Sequence, residues 1–187
     1  MSECILVVDD EPQSREMHAE ALRTWGYKSV VAHDGFEALL KVAEHSPDLI
    51  VSDLRMPRMS GFELLSVLRR RYPEIPVLCI SADYDTPLAP PYIICDTFFG
   101  KGRYDLVELR AKITELLRGQ RRAAPLKDPK PIVWVPKDFS GYYVITCTNC
   151  LRSFPVRSTT EKEHAEEQTP CTHCQTVLTY FIEGSRA

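Results

Sequence analysis

The sequence predicts an α/β fold: a doubly wound parallel sheet of five strand–helix units with a degenerate fourth helix, followed by a small β module. Two observations predict it. Up to Gly119, short apolar runs alternate with stretches whose apolar residues recur at helical spacing, and the runs end on polar or charged residues. Beyond Ser140 the pattern changes to short strands around two Cys-x-x-Cys pairs.

Each element has a local reason. Cys4–Val8 is continuously apolar, as expected of a parallel strand covered on both faces. Pro12 suits a first helical turn. Met17, Ala21, Leu22 and Trp25 follow at helical spacing, and Gly26 ends that helix. Lys28–Ala32 is the second strand, and Asp34-Gly35 opens a helix carrying Ala38, Leu39 and Val42. The third strand is 48–52. Ser60 and Glu63 then form an S-x-x-E capping box ahead of Leu64, Leu65 and Leu68. Residues 77–80 make the fourth strand and 93–99 the fifth. Leu106, Leu109, Ile113, Leu116 and Leu117 trace the last helix, ending at Gly119. Between the fourth and fifth strands, Pro87, Pro90 and Pro91 interrupt the place of the fourth helix. Each would cost ~3 kcal/mol in a helix interior, so a loop or at most one turn is expected there.

Three segments result: 1–119, a tether at 120–139, and a module at 140–187. The tether holds Pro125, Pro129, Pro131 and Pro136, with five Lys/Arg against two Asp, and should be extended and exposed. Ile132–Val135 inside it is too apolar for free tether and is expected to dock as a strand on one domain.

Composition narrows the classes. The net charge of −3 implies no partner by itself. No apolar run approaches the ~18–20 residues of a membrane span, and no basic leader with a cleavage motif precedes the first strand. A cytoplasmic protein is therefore expected. Of seven cysteines, four lie in the Cys-x-x-Cys pairs, while Cys4, Cys79 and Cys95 sit in apolar segments, which fits reduced thiols better than disulfides.

The strand ends carry the chemistry. Asp9 and Asp10 follow the first strand, Asp53 the third, Ser81 the fourth and Lys101 the fifth. Open α/β sheets place their sites at such ends. A carboxylate that attacks a phosphoryl group meets another anion, so the site must supply a divalent cation and fixed positive charge. Asp10 and Asp53 are suited to ligate Mg²⁺ directly, and Asp9 directly or through water. Lys101 is expected to pair with Asp53 when the site is empty and with a phosphoryl oxygen when it is loaded. Ser81 would donate a hydrogen bond to the same group.

Over about residues 3–119 the chain resembles a response-regulator receiver domain of two-component signalling. The matching elements are Val7-Val8-Asp9-Asp10-Glu11-Pro12, Asp53-Leu54-Arg55-Met56-Pro57 with Gly61 after it, Ser81-Ala82, and Lys101. The resemblance implies a signalling protein rather than an enzyme, in which Asp53 takes a phosphoryl group from a sensor histidine kinase or phosphotransfer protein. It implies that the backbone carbonyl of Arg55 completes the Mg²⁺ site. It also implies that Phe98 is a switch aromatic, turning inward as Ser81 moves toward the phosphoryl group. Two features depart from the family. Gly102 stands where a Pro usually follows the Lys, which predicts a looser loop. The Pro-rich interval replaces the fourth helix, and with it part of the surface by which many relatives dimerise or engage targets. At the rim, Arg55 and Asp83 are expected to pair over the aspartyl phosphate and restrict attacking water, unless both stay solvated.

Cys147-Thr-Asn-Cys150 and Cys171-Thr-His-Cys174 are separated by twenty residues. Two such turns complete a tetrahedral four-sulfur site typical of structural Zn²⁺, with a rubredoxin-like iron site or two redox pairs as alternatives. The module resembles a zinc ribbon with strands at Tyr142–Thr146, 154–156 and 176–182. So short a segment has a small core, and the metal is expected to be required for folding. His164 and His173 could substitute as ligands, but four cysteines suffice. Four Lys/Arg against five Asp/Glu give the module −1, with Glu161, Glu163, Glu166 and Glu167 clustered between the turns. The absence of a cationic cluster argues against nucleic acid and for a protein target. The leading reading is a Mg²⁺-dependent response regulator that signals through a zinc-binding protein-interaction module. The alternatives are a transcription regulator whose zinc ribbon binds DNA, and an aspartyl-phosphate phosphatase of haloacid-dehalogenase type. The latter carries its nucleophile in a DxD motif on the first strand, whereas here the acids are adjacent.

Overall fold

The computed structural model describes residues 2–82, 95–119, 132–135, 142–157 and 166–182. The first part alternates strand and helix: β1 (Cys4–Val8), α1 (Pro12–Thr24), β2 (Lys28–Ala32), α2 (Gly35–His45), β3 (Leu49–Asp53), α3 (Gly61–Arg71), β4 (Val77–Ser81), β5 (Thr97–Gly100) and α4 (Leu106–Arg118). The strands form one parallel sheet in the order β2-β1-β3-β4-β5. Alternate side chains feed two cores. Leu6, Val8, Ile50, Val77 and Cys79 pack with α2 and α3, while Ile5, Val7, Leu49, Val51 and Leu78 pack with Leu22 of α1 and Leu109 and Ile113 of α4. The doubly wound α/β expectation holds.

Local signals act where the sequence puts them. Asp34 caps α2 by accepting from the Glu37 amide at 2.8 Å. Asp105 does the same for α4 through the Glu108 amide at 2.7 Å, and Ser60 and Glu63 close the capping box of α3. β3 and β4 each run one residue past their expected ends because the ladder continues, pairing Asp53 with Ile80 and Ser81 with Gly100. Pro87, Pro90 and Pro91, the start of the expected fifth strand at 93 and 94, and Asp83 lie outside the described residues, as do most of the tether, His164, Glu161 and Glu163.

The second part holds β6 (Ile132–Val135), β7 (Tyr142–Thr146), β8 (Ser153–Arg157), β9 (Glu166–Pro170) and β10 (Val177–Ile182). β7 and β8 are an antiparallel pair, and β10 lies between parallel β6 and antiparallel β9. β6, placed by composition in the tether, thus joins the module's own sheet. β9 was not expected, since Glu166-Glu167-Gln168-Thr169-Pro170 has no strand-like apolar pattern; its edge position tolerates that. Tyr143, Ile145, Phe154, Leu178 and Tyr180 pack around Cys147 and Cys171. No helix among the described residues is long and apolar enough to cross a membrane.

Candidate functional site

The sheet reverses its strand order between β1 and β3, and the loops leaving such a point diverge to leave a crevice. Asp9 and Asp10 leave β1 there and Asp53 ends β3. One carboxylate oxygen from each of the three lies within 4.8 Å of the others. Asp9 and Asp53 are buried and Asp10 is exposed.

Each side chain is held by its neighbours. Asp53 Oδ1 accepts from the amides of Leu54 at 2.6 Å and Arg55 at 3.2 Å. Its Oδ2 accepts from Lys101 Nζ at 2.6 Å, and the same ammonium lies 3.2 Å from Asp9 Oδ2. Asp9 also accepts from the Glu11 amide at 2.9 Å and the Ser14 hydroxyl at 2.6 Å. Asp9 is thus tied to the start of α1 and to Lys101, Asp53 to its two following amides and to Lys101, and Asp10 is the exposed member of the three. Burial raises the Asp53 carboxyl above the usual range despite the opposing Lys101 contact. Burial pulls the Lys101 ammonium down, but its contacts with Asp53 and Asp9 outweigh this and hold it above its ordinary value.

Ser81 is buried at the end of β4, beside the strand that carries Asp53, and its carbonyl accepts from the Lys101 amide at 2.8 Å. Phe98 is buried in the α2–α3 core, paired with Cys79 across β4 and β5. Gly102 has φ +77°, a region closed to Pro, and the Gly100 carbonyl accepts from the Arg103 amide at 3.0 Å. Residues 100–103 thus form a hydrogen-bonded turn whose φ at position 102 Gly adopts and Pro cannot. The Arg55 partner expected at the rim, Asp83, lies outside the described residues.

Several supports escaped sequence reasoning. Asp96 accepts from Arg69 at 2.5 Å and from the Val77 amide at 2.8 Å, pinning the entry to β5. His18 Nε2 lies 2.5 Å from the Tyr104 hydroxyl, and burial lowers the imidazole and pushes the phenol up to about 12. His18 sits at an ordinary core spacing of α1, so nothing local marks it.

The second constellation is the four cysteines. One Sγ from each lies within 4.8 Å of the rest, with Cys147 and Cys174 3.7 Å apart and Cys150 and Cys171 3.7 Å apart. Four sulfurs at ~2.3 Å from one Zn²⁺ would be ~3.8 Å from each other, so the donor set fits that ion. Both turns are built alike. Leu151 and Gln175 follow them at φ +61° and +62°, returning their amides to the Cys147 and Cys171 carbonyls at 2.8 and 2.9 Å. Backbone amides aim at sulfur, from Asn149 to Cys147 and from His173 to Cys171, each at 3.4 Å. Hydrogen bonding with Thr176 holds the Cys174 thiol down at about 5. His173 is exposed and outside this cluster.

Residues 5–97 match the response regulator receiver domain family. The chain is 34% identical over 138 residues to the response regulator MprA of Mycobacterium avium (strain 104), covering 73% of this chain and 59% of that protein. It is 33% identical over 139 residues to the nitrogen assimilation regulatory protein NtrX of Azorhizobium caulinodans, covering 68% of this chain and 29% of that protein. It thus spans less than two thirds of the length of either relative. Among solved structures, the chemotaxis response regulator CheY4 of Vibrio cholerae is similar at a TM-score of 0.57 and 27% identity, over 62% of this chain and 99% of that one. The response regulator TrrA of Thermotoga maritima, solved in complex with Mg²⁺-BeF, is similar at 0.56 and 32%, over 61% of this chain and 98% of that one. The acidic cluster at the strand reversal and these likenesses agree: the chain belongs to the response regulator receiver domain family.

Proposed function

We infer that the chain is a Mg²⁺-dependent response regulator, acting in the cytoplasm, that accepts a phosphoryl group on Asp53 and signals through its C-terminal four-cysteine module. The observation that carries this is the single ammonium of Lys101 set between Asp53 at 2.6 Å and Asp9 at 3.2 Å, with Asp10 beside them. Asp9, Asp10, Asp53 and the Arg55 carbonyl would hold Mg²⁺, which supplies charge neutralisation between attacking carboxylate and phosphoryl group. The donor is a phosphohistidine of a sensor kinase or phosphotransfer protein. An Asp53 oxygen bonds to phosphorus, the phosphorus–nitrogen bond breaks, and the imidazole leaves with the electron pair and takes up a proton. Leu54 and Arg55 amides orient the carboxylate, Lys101 meets the charge on the phosphoryl oxygens, and Ser81 donates to one of them. Phe98 would be the switch aromatic, coupled to the movement of Ser81 toward the phosphoryl group.

Four cysteines in tetrahedral spacing support structural Zn²⁺ in the module. The absence of a cationic cluster in its sequence supports a protein target over DNA. Incubation with Mg²⁺ and acetyl phosphate, read by mass, tests the proposal. A single phosphoryl adduct lost in Asp53→Ala is expected. Continuous release of phosphate from phosphomonoesters would point to a phosphatase instead, and retention of duplex DNA in filter binding at physiological salt to a DNA-binding module.

A further inference from the structure

Eight consecutive residues of α3, Gly61 through Leu68, are buried, whereas a helix lying on a sheet ordinarily keeps one face in water. The second cover is the C-terminal module. β6 runs against α3, and Leu151, beside the first cysteine turn, packs onto the α2–α3 core. Arg71 donates to the Asn149 carbonyl inside that turn. The decisive contact is polar and buried. Glu63 Oε2 accepts from the Ser60 amide at 3.0 Å and the Ser60 hydroxyl at 3.1 Å, while Oε1 accepts from the Thr146 amide at 3.2 Å. Thr146 immediately precedes Cys147. One carboxylate, 5% exposed, therefore joins the first turn of α3 to the strand that leads into the cysteine site.

The same helical turn lies against the nucleophile. The Gly61 amide donates to the Leu54 carbonyl at 2.9 Å, and a Cβ on Gly61 would stand 2.0 Å from the Asp53 carbonyl oxygen. Leu54 and Arg55 carry the amides that orient the Asp53 carboxylate. A shift of the first turn of α3 thus moves the peptides that shape the pocket.

We propose that the module is a metal-dependent clamp on α3, with Glu63 as the positioning residue that passes metal occupancy of the four cysteines to the Asp53 pocket. With the cysteines loaded, Thr146 holds Glu63 and the first turn is fixed. With the metal gone, a core this small loses its staple, the Thr146 amide leaves, and Glu63 turns to water. The loosened turn binds a phosphoryl group less well. The proposal rests on the receiver and four-cysteine readings above. It routes coupling through α3 rather than the Pro-rich tether.

The test uses the full chain, zinc-loaded and after zinc removal, titrated with beryllofluoride in excess Mg²⁺. The zinc-loaded chain is expected to bind beryllofluoride about fivefold or more tightly than the zinc-free chain, at the low end of ordinary coupling between sites. Linkage requires beryllofluoride to raise zinc affinity, read against a competing chelator, by the same factor. Glu63→Gln should bring that factor toward one, because Gln still serves a capping box but offers a single acceptor oxygen. Arg71→Ala, at the exposed contact, should reduce it in a background certain to keep the cap. Equal affinity with and without zinc, or full coupling retained in Glu63→Gln, overturns the clamp. A zinc-loaded chain that binds no beryllofluoride, or a chain that takes up no zinc, refutes the underlying reading and the clamp with it.

Discussion

Lys101 reaches from the end of β5 across β4 to place its Nζ 2.6 Å from Asp53 Oδ2. The same nitrogen lies 3.2 Å from Asp9, so one cation serves two buried carboxylates while Asp10 waits at the rim. Among the described residues, three clustered carboxylates meet the one ammonium of Lys101. That imbalance suits a divalent cation, and it sets the expected behaviour of each member.

Replacing Lys101 by Ala should separate two properties that a general loss of structure would move together. Removing a charge that meets the transferring group should slow phosphoryl uptake by about 100-fold, the usual scale for losing one such donor. Removing a cation that competes for the same oxygens should tighten Mg²⁺ binding. Time courses with acetyl phosphate and calorimetric Mg²⁺ titration read the two effects, and Mg²⁺ affinity that falls in the variant would contradict the shared-oxygen geometry.

In the proposed reaction Asp53 would attack as a carboxylate, and burial raises its protonation range. At limiting Mg²⁺, where the metal-free site titrates, uptake should therefore decline on acidification at a higher pH than an ordinary aspartate would give, and saturating Mg²⁺ should move that decline to lower pH. Stability runs the other way. The folded chain binds this proton more tightly than the unfolded chain, so without metal the contribution of Asp53 to stability is greatest below the ordinary aspartate range. Asp53 then erodes it as pH rises through the raised value. Mg²⁺ should remove that loss, and Asp53→Asn should flatten it in thermal melts.

Gly61→Ala tests how closely α3 sits on Asp53. The added methyl would meet the Asp53 carbonyl oxygen at 2.0 Å and Leu54 Cα at 2.7 Å, both backbone, so neither can rotate aside. The variant should lose about 1–3 kcal/mol of stability in denaturant melts. Phosphoryl uptake should fall further than in Ser60→Ala, which weakens the cap by about 1 kcal/mol without touching Asp53.

The sheet, its caps and the strand-end acids were legible because period, capping box and turn residues act over a few positions. Ser60 and Glu63 read as a helix start and form one. The second bond of Glu63, to Thr146, spans eighty-three positions and leaves no local mark. Arg69 with Asp96 and His18 with Tyr104 are invisible for the same reason. β9 failed differently: its polar residues are held by pairing with β10, and Glu167 accepts from the Tyr180 hydroxyl at 2.5 Å. The turn at Gly102 rests on a positive φ that the residue type permits but does not dictate.

The four-cysteine site makes the last prediction. If it holds structural Zn²⁺, the chain should carry one metal per molecule, and X-ray absorption should give four sulfurs at about 2.3 Å. Loading should also be pH-dependent with a defined proton count. In a metal-free module that has lost its fold the four thiols titrate near the ordinary cysteine range of about 8.5, so most are protonated at neutral pH. Zinc uptake at neutral pH should thus release close to four protons, and affinity should weaken as acid reclaims the ligands. Cys171→Ser removes a buried ligand from the second turn and should abolish tight binding. The structural consequence is local first: residues 142–182 should become sensitive to protease while the five-stranded sheet persists, because the receiver cores draw on few residues of the module. A metal-free chain as resistant in that segment as the loaded one would mean that the small core around Tyr143, Phe154 and Tyr180 stands without its ion.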